Sequence, residues 1–313
     1  MRRIESLAAI SEEPGRITRT FASPAMLRAN KLVAGWMHET GMRTRVDAVG
    51  NLFGHYPGSK PGAKTVLLGS HLDTVRNAGK FDGPLGVILA IACVEQLYRS
   101  RMRLPFAIEV AGFADEEGVR YQTTYLGSKA VAGCFNQHDL KRRDANGISM
   151  AAAIKNFGGD PKKIKSAKWS AKQLLGYIEA HIEQGPVLEQ KNQAVGVVTG
   201  IAGQSRAWVK FSGLAGHAGT VPMAQRRDAL CAAAEFVLAV EKHAQKSKGL
   251  VATVGQISAQ PGASNVIPGE AGLTLDVRHA SDAQRRVATK KLRGEAFAIA
   301  RRRKMRLTFE EVH

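Results

Sequence analysis

Phe106-Ala-Ile-Glu-Val-Ala-Gly-Phe113-Ala-Asp115-Glu116-Glu117-Gly118 runs from a continuous β-rich stretch straight into three consecutive acids. Neighbouring carboxylates repel one another unless water or a cation screens them. Placed where a buried strand ends, such a cluster is most simply explained by a metal. Upstream, Thr65 to Leu68 is a second β-like run, ending at Gly-Ser-His71-Leu-Asp73-Thr, and a helix is expected over Gly86 to Arg99 between the two. Strand, helix and strand with polar residues at the strand ends is the grammar of an α/β domain. In such domains ligands bind outside the carboxyl ends of the strands, so the functional site is expected there.

Working outward, Ser23 to Thr40 has the marks of an amphipathic helix: Ser23 as N-cap, Pro24 at the first helical position, and Met26, Val33, Trp36 and Met37 at near-helical spacing. Gly41 follows its end, and Thr44 to Tyr56 is β-like. Lys141 to Lys172 is lysine-rich and is expected to be a helix plus a surface excursion. Beyond Gly203 the pattern gives a strand (Arg206 to Ser212), a helix (Asp228 to Lys242), two strands (Leu250 to Ile257 and Ala271 to Arg278) and a helix (Asp282 to Arg302). That order fits a small α+β domain on an antiparallel sheet. The boundary is placed near Gly200, giving domains 1–200 and 201–313.

The 313 residues include 45 Lys or Arg and 27 Asp or Glu, a formal net charge of +18. Residues 1–100, 101–200 and 201–313 contribute +5, +4 and +9, so half of the excess lies at the end. Much of it falls between Ala283 and Leu307, where ten cations face one acid, Glu295. A basic patch binds polyphosphate by counterion release, but only Phe297 and Phe309 offer stacking surfaces there, and a solvated helix face is the preferred reading. Cys93, Cys134 and Cys231 lie far apart, which argues against a disulfide framework or a cysteine zinc site. No apolar run approaches the length of a membrane span, no signal-type segment opens the chain, and a cytosolic protein is expected.

Four stretches carry the chemistry. In His71-Leu-Asp73 the two polar side chains share a strand face, and a carboxylate there can hold the second ring nitrogen of a metal-binding histidine; alone, this pair also fits an ordinary surface turn. Asp82, in Phe-Asp82-Gly-Pro-Leu-Gly, precedes an apolar helix and also fits a near-cap. Asp115-Glu116-Glu117 follows the strand. Glu179-Ala-His181-Ile-Glu183-Gln184-Gly-Pro sets a second histidine among acids. Two histidines with several carboxylates and no cysteine suit Zn²⁺ or a similar divalent ion. A metal pair sharing a carboxylate can activate water and polarise a carbonyl together.

With Gly-His217-Ala-Gly-Thr-Val-Pro-Met as a fifth motif, the ordered set resembles the amidase, hydantoinase/carbamoylase family of the dinuclear zinc aminoacylase and peptidase superfamily, over essentially the whole chain. This branch includes N-carbamoyl-L-amino acid hydrolases, allantoate amidohydrolases and β-ureidopropionases. The resemblance implies a zinc-peptidase-like catalytic domain with a mixed central sheet, plus a small α+β dimerisation domain, or lid, through which a homodimer forms. It implies that His71, Asp82 and His181 hold one metal and that Asp82 bridges to a second held also by Glu117. Zn²⁺ is the first choice, with Mn²⁺ or Co²⁺ as alternatives. Asp73 would orient His71. Glu116 would be the general base, taking a proton from the metal-bound water and delivering it to the leaving nitrogen as ammonia is released.

On the substrate side, His217 is similar to the lid histidine that stabilises the developing oxyanion. Asn265 and Arg278 match positions that bind a small anionic ureido or carbamoyl acid, the arginine by a bidentate grip on its carboxylate. Gln184 resembles a substrate-side amide. For His217 a turn histidine, and for Arg278 a surface salt bridge, are the plain alternatives. The family also implies a final ligand histidine in a Gly-His-Asp context after the lid. His313, after Phe-Glu-Glu-Val, does not match it, so the second metal is expected to lack one ligand and turnover by this stretch alone is expected to suffer. A zinc aminopeptidase or dipeptidase of the same superfamily is the nearest competitor, though such peptidases place a carboxylate at the His181 position. A non-catalytic basic binding protein is the third reading.

Overall fold

The computed structural model describes Met1 to Val312; His313 lies outside the described residues. The chain forms two compact units that divide between Asn192 and Gln193, eight residues before the boundary read from the sequence.

The first unit opens with helix α1 (Arg2–Ala8), which buries Ile4 and Leu7. Helix α2 (Pro24–Glu39) starts as its sequence requires: Ser23 is extended and its hydroxyl accepts the Met26 N–H. Strands β1 (Arg43–Val46) and β2 (Leu52–Tyr56) split the Thr44 to Tyr56 run into an antiparallel hairpin, with Asp47 and Asn51 turning between them. Then follow β3 (Thr65–His71), α3 (Pro84–Arg99), β4 (Ala107–Phe113), α4 (Leu126–Ala132), α5 (Met150–Phe157), β5 (Leu174–Ile178) and the short α6 (Val187–Gln190). The sheet order is β1-β2-β4-β3-β5, with β3 parallel to both β4 and β5 and β2 antiparallel to β4. It is therefore a mixed sheet whose parallel part ends on one side. Every residue of β4 is buried, as a central strand covered on both faces should be. The main core joins Met26, Val33 and Met37 of α2, Val87, Ile91 and Val94 of α3, and Ile108 and Val110 of β4. A second core, with Val49, Leu126, Met150 and Ile154, gathers α4 and α5.

The second unit contains β6 (Gly203–Ser212), β7 (Gly216–His217), α7 (Ala229–Gln245), β8 (Val251–Gln260), β9 (Val266–Ile267), β10 (Glu270–His279), α8 (Asp282–Arg302) and β11 (Arg306–Val312). The four long strands form an antiparallel sheet in the order β11-β6-β10-β8. Alternation decides its faces: Ala207, Val209 and Phe211 of β6 and Ala271, Leu273, Leu275 and Val277 of β10 are buried with α7 and α8 residues such as Phe236, Leu292 and Ala296. Trp208, Lys210 and Arg278 lie on exposed positions between them. β7 and β9 pair as a separate two-residue ribbon. Among the described residues no helix is long and apolar enough to cross a membrane.

Candidate metal centre

The three parallel strands of the first unit end side by side, and each delivers polar groups at its carboxyl end. β3 ends on His71, with Leu72 and Asp73 following it. β4 is followed by Ala114 and the Asp115 to Glu117 acids, and β5 by Glu179, Ala180 and His181. Asp82 arrives from a different direction, in the turn before α3. Gly83 makes that turn possible: it has φ 81°, where only glycine is at ease, and a side chain there would run into the His71 imidazole. Gly86, one turn on, leaves room for the Ala180 carbonyl, so α3 seats directly on the loop carrying His181.

His71, Asp82 and His181 offer three ligand atoms within 4.8 Å of one another, and His71, Glu116 and Glu117 form a second such group. The Asp82 carboxylate lies 3.3 Å from His181 Nε2 and 4.0 Å from His71 Nε2. The two imidazoles are nearly parallel, their centroids 5.9 Å apart. Exposure rises from His71 (3% of its side chain) through Asp82 (18%) to His181 (30%), so the centre is closed at the sheet and open toward the His181 loop.

Asp73 has two tasks here. His71 Nδ1 lies 3.0 Å from the Asp73 backbone carbonyl and 3.4 Å from its carboxylate. That carboxylate also accepts the backbone N–H groups of Glu116 (3.0 Å) and Glu117 (3.1 Å). One buried side chain thus ties His71 to the acidic loop. Gln184 donates its amide to Asp82 Oδ2 at 2.8 Å, from a backbone with φ 57°. The group assigned a substrate role by sequence therefore orients a carboxylate in this structure.

Four further residues support the centre in roles that went unread in the sequence. Ser70 donates to Glu179 Oε1 at 2.5 Å, and the Tyr177 hydroxyl donates to Glu179 Oε2 at 2.6 Å. Glu179 thereby fastens the end of β5, two residues before His181, to the residue before His71. The available signal was positional: both flank a histidine at a strand end. Asn51, fully buried, accepts the Ala114 N–H at 2.9 Å and donates to the Gly127 carbonyl at 3.0 Å, fixing where β4 hands over to the acids.

The electrostatics favour a cation. Burial alone would lower the His71 imidazolium, but the Asp73 carboxylate outweighs it and pushes it up to about 9. Burial and then the neighbouring Glu116 charge push Glu117 up to about 7. Glu116 is raised by burial, with Asp73 and Asp82 adding to it against the two histidines. Asp115 is driven well above the carboxylate range by burial and by Asp73. Its Oδ2 is buried and has no hydrogen-bond partner among the described residues. So much negative charge in so little water is a strained arrangement that a divalent cation relieves. The donor set, imidazole nitrogen with carboxylate oxygen, is that of Zn²⁺ and its neighbours.

In the second unit, His217 of β7 pairs with Val266 of β9, its Nδ1 accepts the Gly219 N–H at 3.0 Å, and Ala218 N–H bonds the Asn265 carbonyl at 2.9 Å. His217 and Asn265 are therefore neighbours in one ribbon. Arg278 lies on β10, bound to Asp276 Oδ1 at 2.9 Å.

Comparison with known proteins follows the same lines. Residues 67–300 match the model of peptidase family M20/M25/M40. Allantoate deiminase 1 of Glycine max is 40% identical over 334 aligned positions, covering 99% of this chain and 69% of the relative. An N-carbamoyl-L-amino acid amidohydrolase of Geobacillus stearothermophilus is 42% identical, covering 99% of this chain and 76% of that one. Among solved structures, a hydantoinase/carbamoylase family amidase from Burkholderia ambifaria superposes with a TM-score of 0.88 at 34% identity, covering all of this chain and 76% of that one. M20 enzymes are metal-dependent, in keeping with the His71 centre. By sequence and by fold, the chain belongs to peptidase family M20/M25/M40, in its hydantoinase/carbamoylase amidase branch.

Proposed function

We propose that this chain is an amidohydrolase that cleaves a non-peptide C–N bond in a small carbamoyl or ureido acid, an N-carbamoyl-L-amino acid or allantoate, with release of ammonia. The observation that carries the reading is the convergence of His71, Asp82, His181, Glu116 and Glu117 at the carboxyl ends of adjacent parallel strands. The names of its relatives support the substrate class.

Two divalent ions, Zn²⁺ before Mn²⁺ or Co²⁺, would suit these donors: His71, Asp82 and His181 would hold one, and, by the resemblance of the motifs, Asp82 and Glu117 would contribute to holding a second. When bound, they supply Lewis-acid polarisation of the scissile group and make water easier to deprotonate. Glu116 is the general base. Half-buried beside His71, with its carboxyl raised by burial, it takes the proton of the attacking water and passes it to the leaving nitrogen. Asp73 keeps that carboxylate in register by binding the Glu116 and Glu117 amides. Gln184 fixes the orientation of Asp82. By the resemblance of their motifs, His217 is assigned the donor to the developing oxyanion, and Asn265 and Arg278 the binding of the substrate's polar and carboxylate groups. The second unit is assigned the dimerisation role.

Ammonia release from allantoate and N-carbamoyl-L-amino acids, by protein loaded with Zn²⁺, Mn²⁺ or Co²⁺, tests the reading, with an aminoacyl anilide as the peptidase control. Turnover of a ureido or carbamoyl acid is expected. Cleavage of the anilide alone would overturn it, and so would an absence of bound metal at high protein concentration. Equilibrium sedimentation tests the dimer.

A further inference from the structure

We infer that Arg19 is the positioning residue of the His71–Asp73 turn, a buried cation that holds the metal-binding end of β3 in place through its main chain. Arg19 is 1% exposed, among the largest wholly buried side chains of the protein. Its guanidinium is met by carbonyl oxygens: Nε donates to Leu72 at 3.1 Å, and Nη1 donates to Leu7 and Ile10, each at 3.0 Å. Leu72 is the residue between His71 and Asp73. Its own N–H bonds the Phe113 carbonyl at 3.1 Å, so the turn is gripped by β4 on one side and by Arg19 on the other.

The main chain of Arg19 adds to the grip. Its N–H donates to Thr74 Oγ1 at 2.9 Å, and its carbonyl accepts the Thr74 N–H at 2.9 Å. Three bonds therefore run from one residue to the span Leu72 to Thr74. A fully buried guanidinium is costly unless its donors are filled and its charge is balanced. Burial pulls it down to about 10, and the negative charge of Asp73 works against that fall. Asp73 is the residue that binds the Glu116 and Glu117 amides and faces His71, so Arg19 braces the segment that carries both.

A simple packing role would not select this chemistry. Filling the space alone would favour an apolar side chain, which leaves no buried charge to compensate. The planar fork is what reaches Leu72 in one direction and the end of α1 in the other, and lysine cannot reproduce it.

The proposal rests on the assignment of His71 as a metal ligand. Its test is the Zn²⁺ and Mn²⁺ affinity of the metal-free full chain, measured by competition with a chromophoric chelator, together with thermal unfolding. The variants are Arg19→Lys, Arg19→Met and, as a core control in the hydrophobic cluster that contains Leu7 and Leu72, Met37→Ala. Groups that orient metal ligands from outside typically contribute roughly 10- to 100-fold in metal affinity. Arg19→Lys is expected to lose that much, and Arg19→Met more, since it loses charge as well as geometry. Met37→Ala is expected to lower the unfolding temperature and leave affinity unchanged. Unchanged affinity in Arg19→Lys, or an equal loss in Met37→Ala, would reduce Arg19 to a packing residue. Failure of Arg19→Lys to fold would also overturn the proposal, because the role would then be global rather than local to the turn. A wild-type chain that binds neither metal would instead overturn the metal reading on which the inference stands.

Discussion

At the level of single residues, one Asp73 carboxylate fixes the amides of both adjacent acids, Glu116 and Glu117, for which we propose separate tasks, proton transfer for the first and metal binding for the second. Glu116→Gln keeps the shape and removes the base. Ammonia release is expected to fall by roughly 10²- to 10⁴-fold with metal content unchanged, read by turnover assay and metal analysis of the same sample. Loss of metal in this variant would make Glu116 a ligand. Gly83 supports the centre in a different way, since both its backbone conformation and the adjacent His71 ring exclude a side chain. Gly83→Ala is expected to cost at least about 1–2 kcal/mol from the left-handed backbone alone. It is also expected to lower metal occupancy, since the added methyl displaces the imidazole. Occupancy equal to wild type would show that the ring has room to move. The candidate metal-binding residues that the structure brings together, His71, Asp82, His181, Glu116 and Glu117, were readable in advance because each sits where a strand or turn ends. Ser70, Glu179 and Arg19 were not, since each acts on a partner 53 to 109 positions away along the chain.

At the level of elements, local signals and tertiary pairing divided the work. α2 and α8 follow their sequences closely: Ser23 and Ser281 each cap with a side-chain oxygen, and the apolar residues between recur at helical spacing. β5 was not foreseen. Leu174 to Ile178 is five residues long, follows a lysine-rich stretch and is largely exposed, and only its pairing with β3 makes it a strand. α1 was also missed, because seven residues are too few to display a period; the burial of Ile4 and Leu7 in the core stabilises it. In the second unit, Asp276 of β10 accepts from Arg278, Arg206 and Gln204. Burial would raise its carboxyl, but these partners win and hold it below the usual range. A carboxyl depressed by folding stabilises the native state above its unfolded pKa, about 3.9 for Asp, and loses that contribution as pH falls through the lower native value. Asp276→Asn is expected to flatten the acid limb of the unfolding temperature against pH below about pH 4. An acid limb as steep as wild type would show that the ion pairs are offset by their desolvation.

For the molecule as a whole, two compact units, each with its own buried core, predict two responses. The candidate metal-binding groups lie in the first unit, and the antiparallel sheet that packs with α7 and α8 lies in the second. Metal at a hundred times its dissociation constant adds about 2.7 kcal/mol to whatever unit binds it. Calorimetry with and without chelator is therefore expected to move one transition and leave the other in place. A shift of both would mean that the two units unfold as one. The charge of +18 also takes on a structural meaning. Arg285 bonds Asp282, and Arg302 and Arg303 both reach Glu235 on α7, so part of the basic segment braces α8. The remainder of that helix's cations, such as Arg286 and Lys290, lie on its exposed face.

The family, the α/β character of the first unit, the α+β order of the second and a set of candidate metal-binding residues were legible in the order of residues alone. Each of these depends on residue type and short spacing, which survive without a partner in space. Packing in space was needed to show that β3, β4 and β5 run parallel and side by side, and that Gln184 turns to Asp82. It also decided that Asp73 binds the acidic loop and that Arg19 reaches the Leu72 carbonyl from an N-terminal segment. The physical reason is that hydrogen bonds between distant segments are chosen by burial. A buried donor or acceptor must find a partner, and which partner lies within reach is known only once the chain has packed.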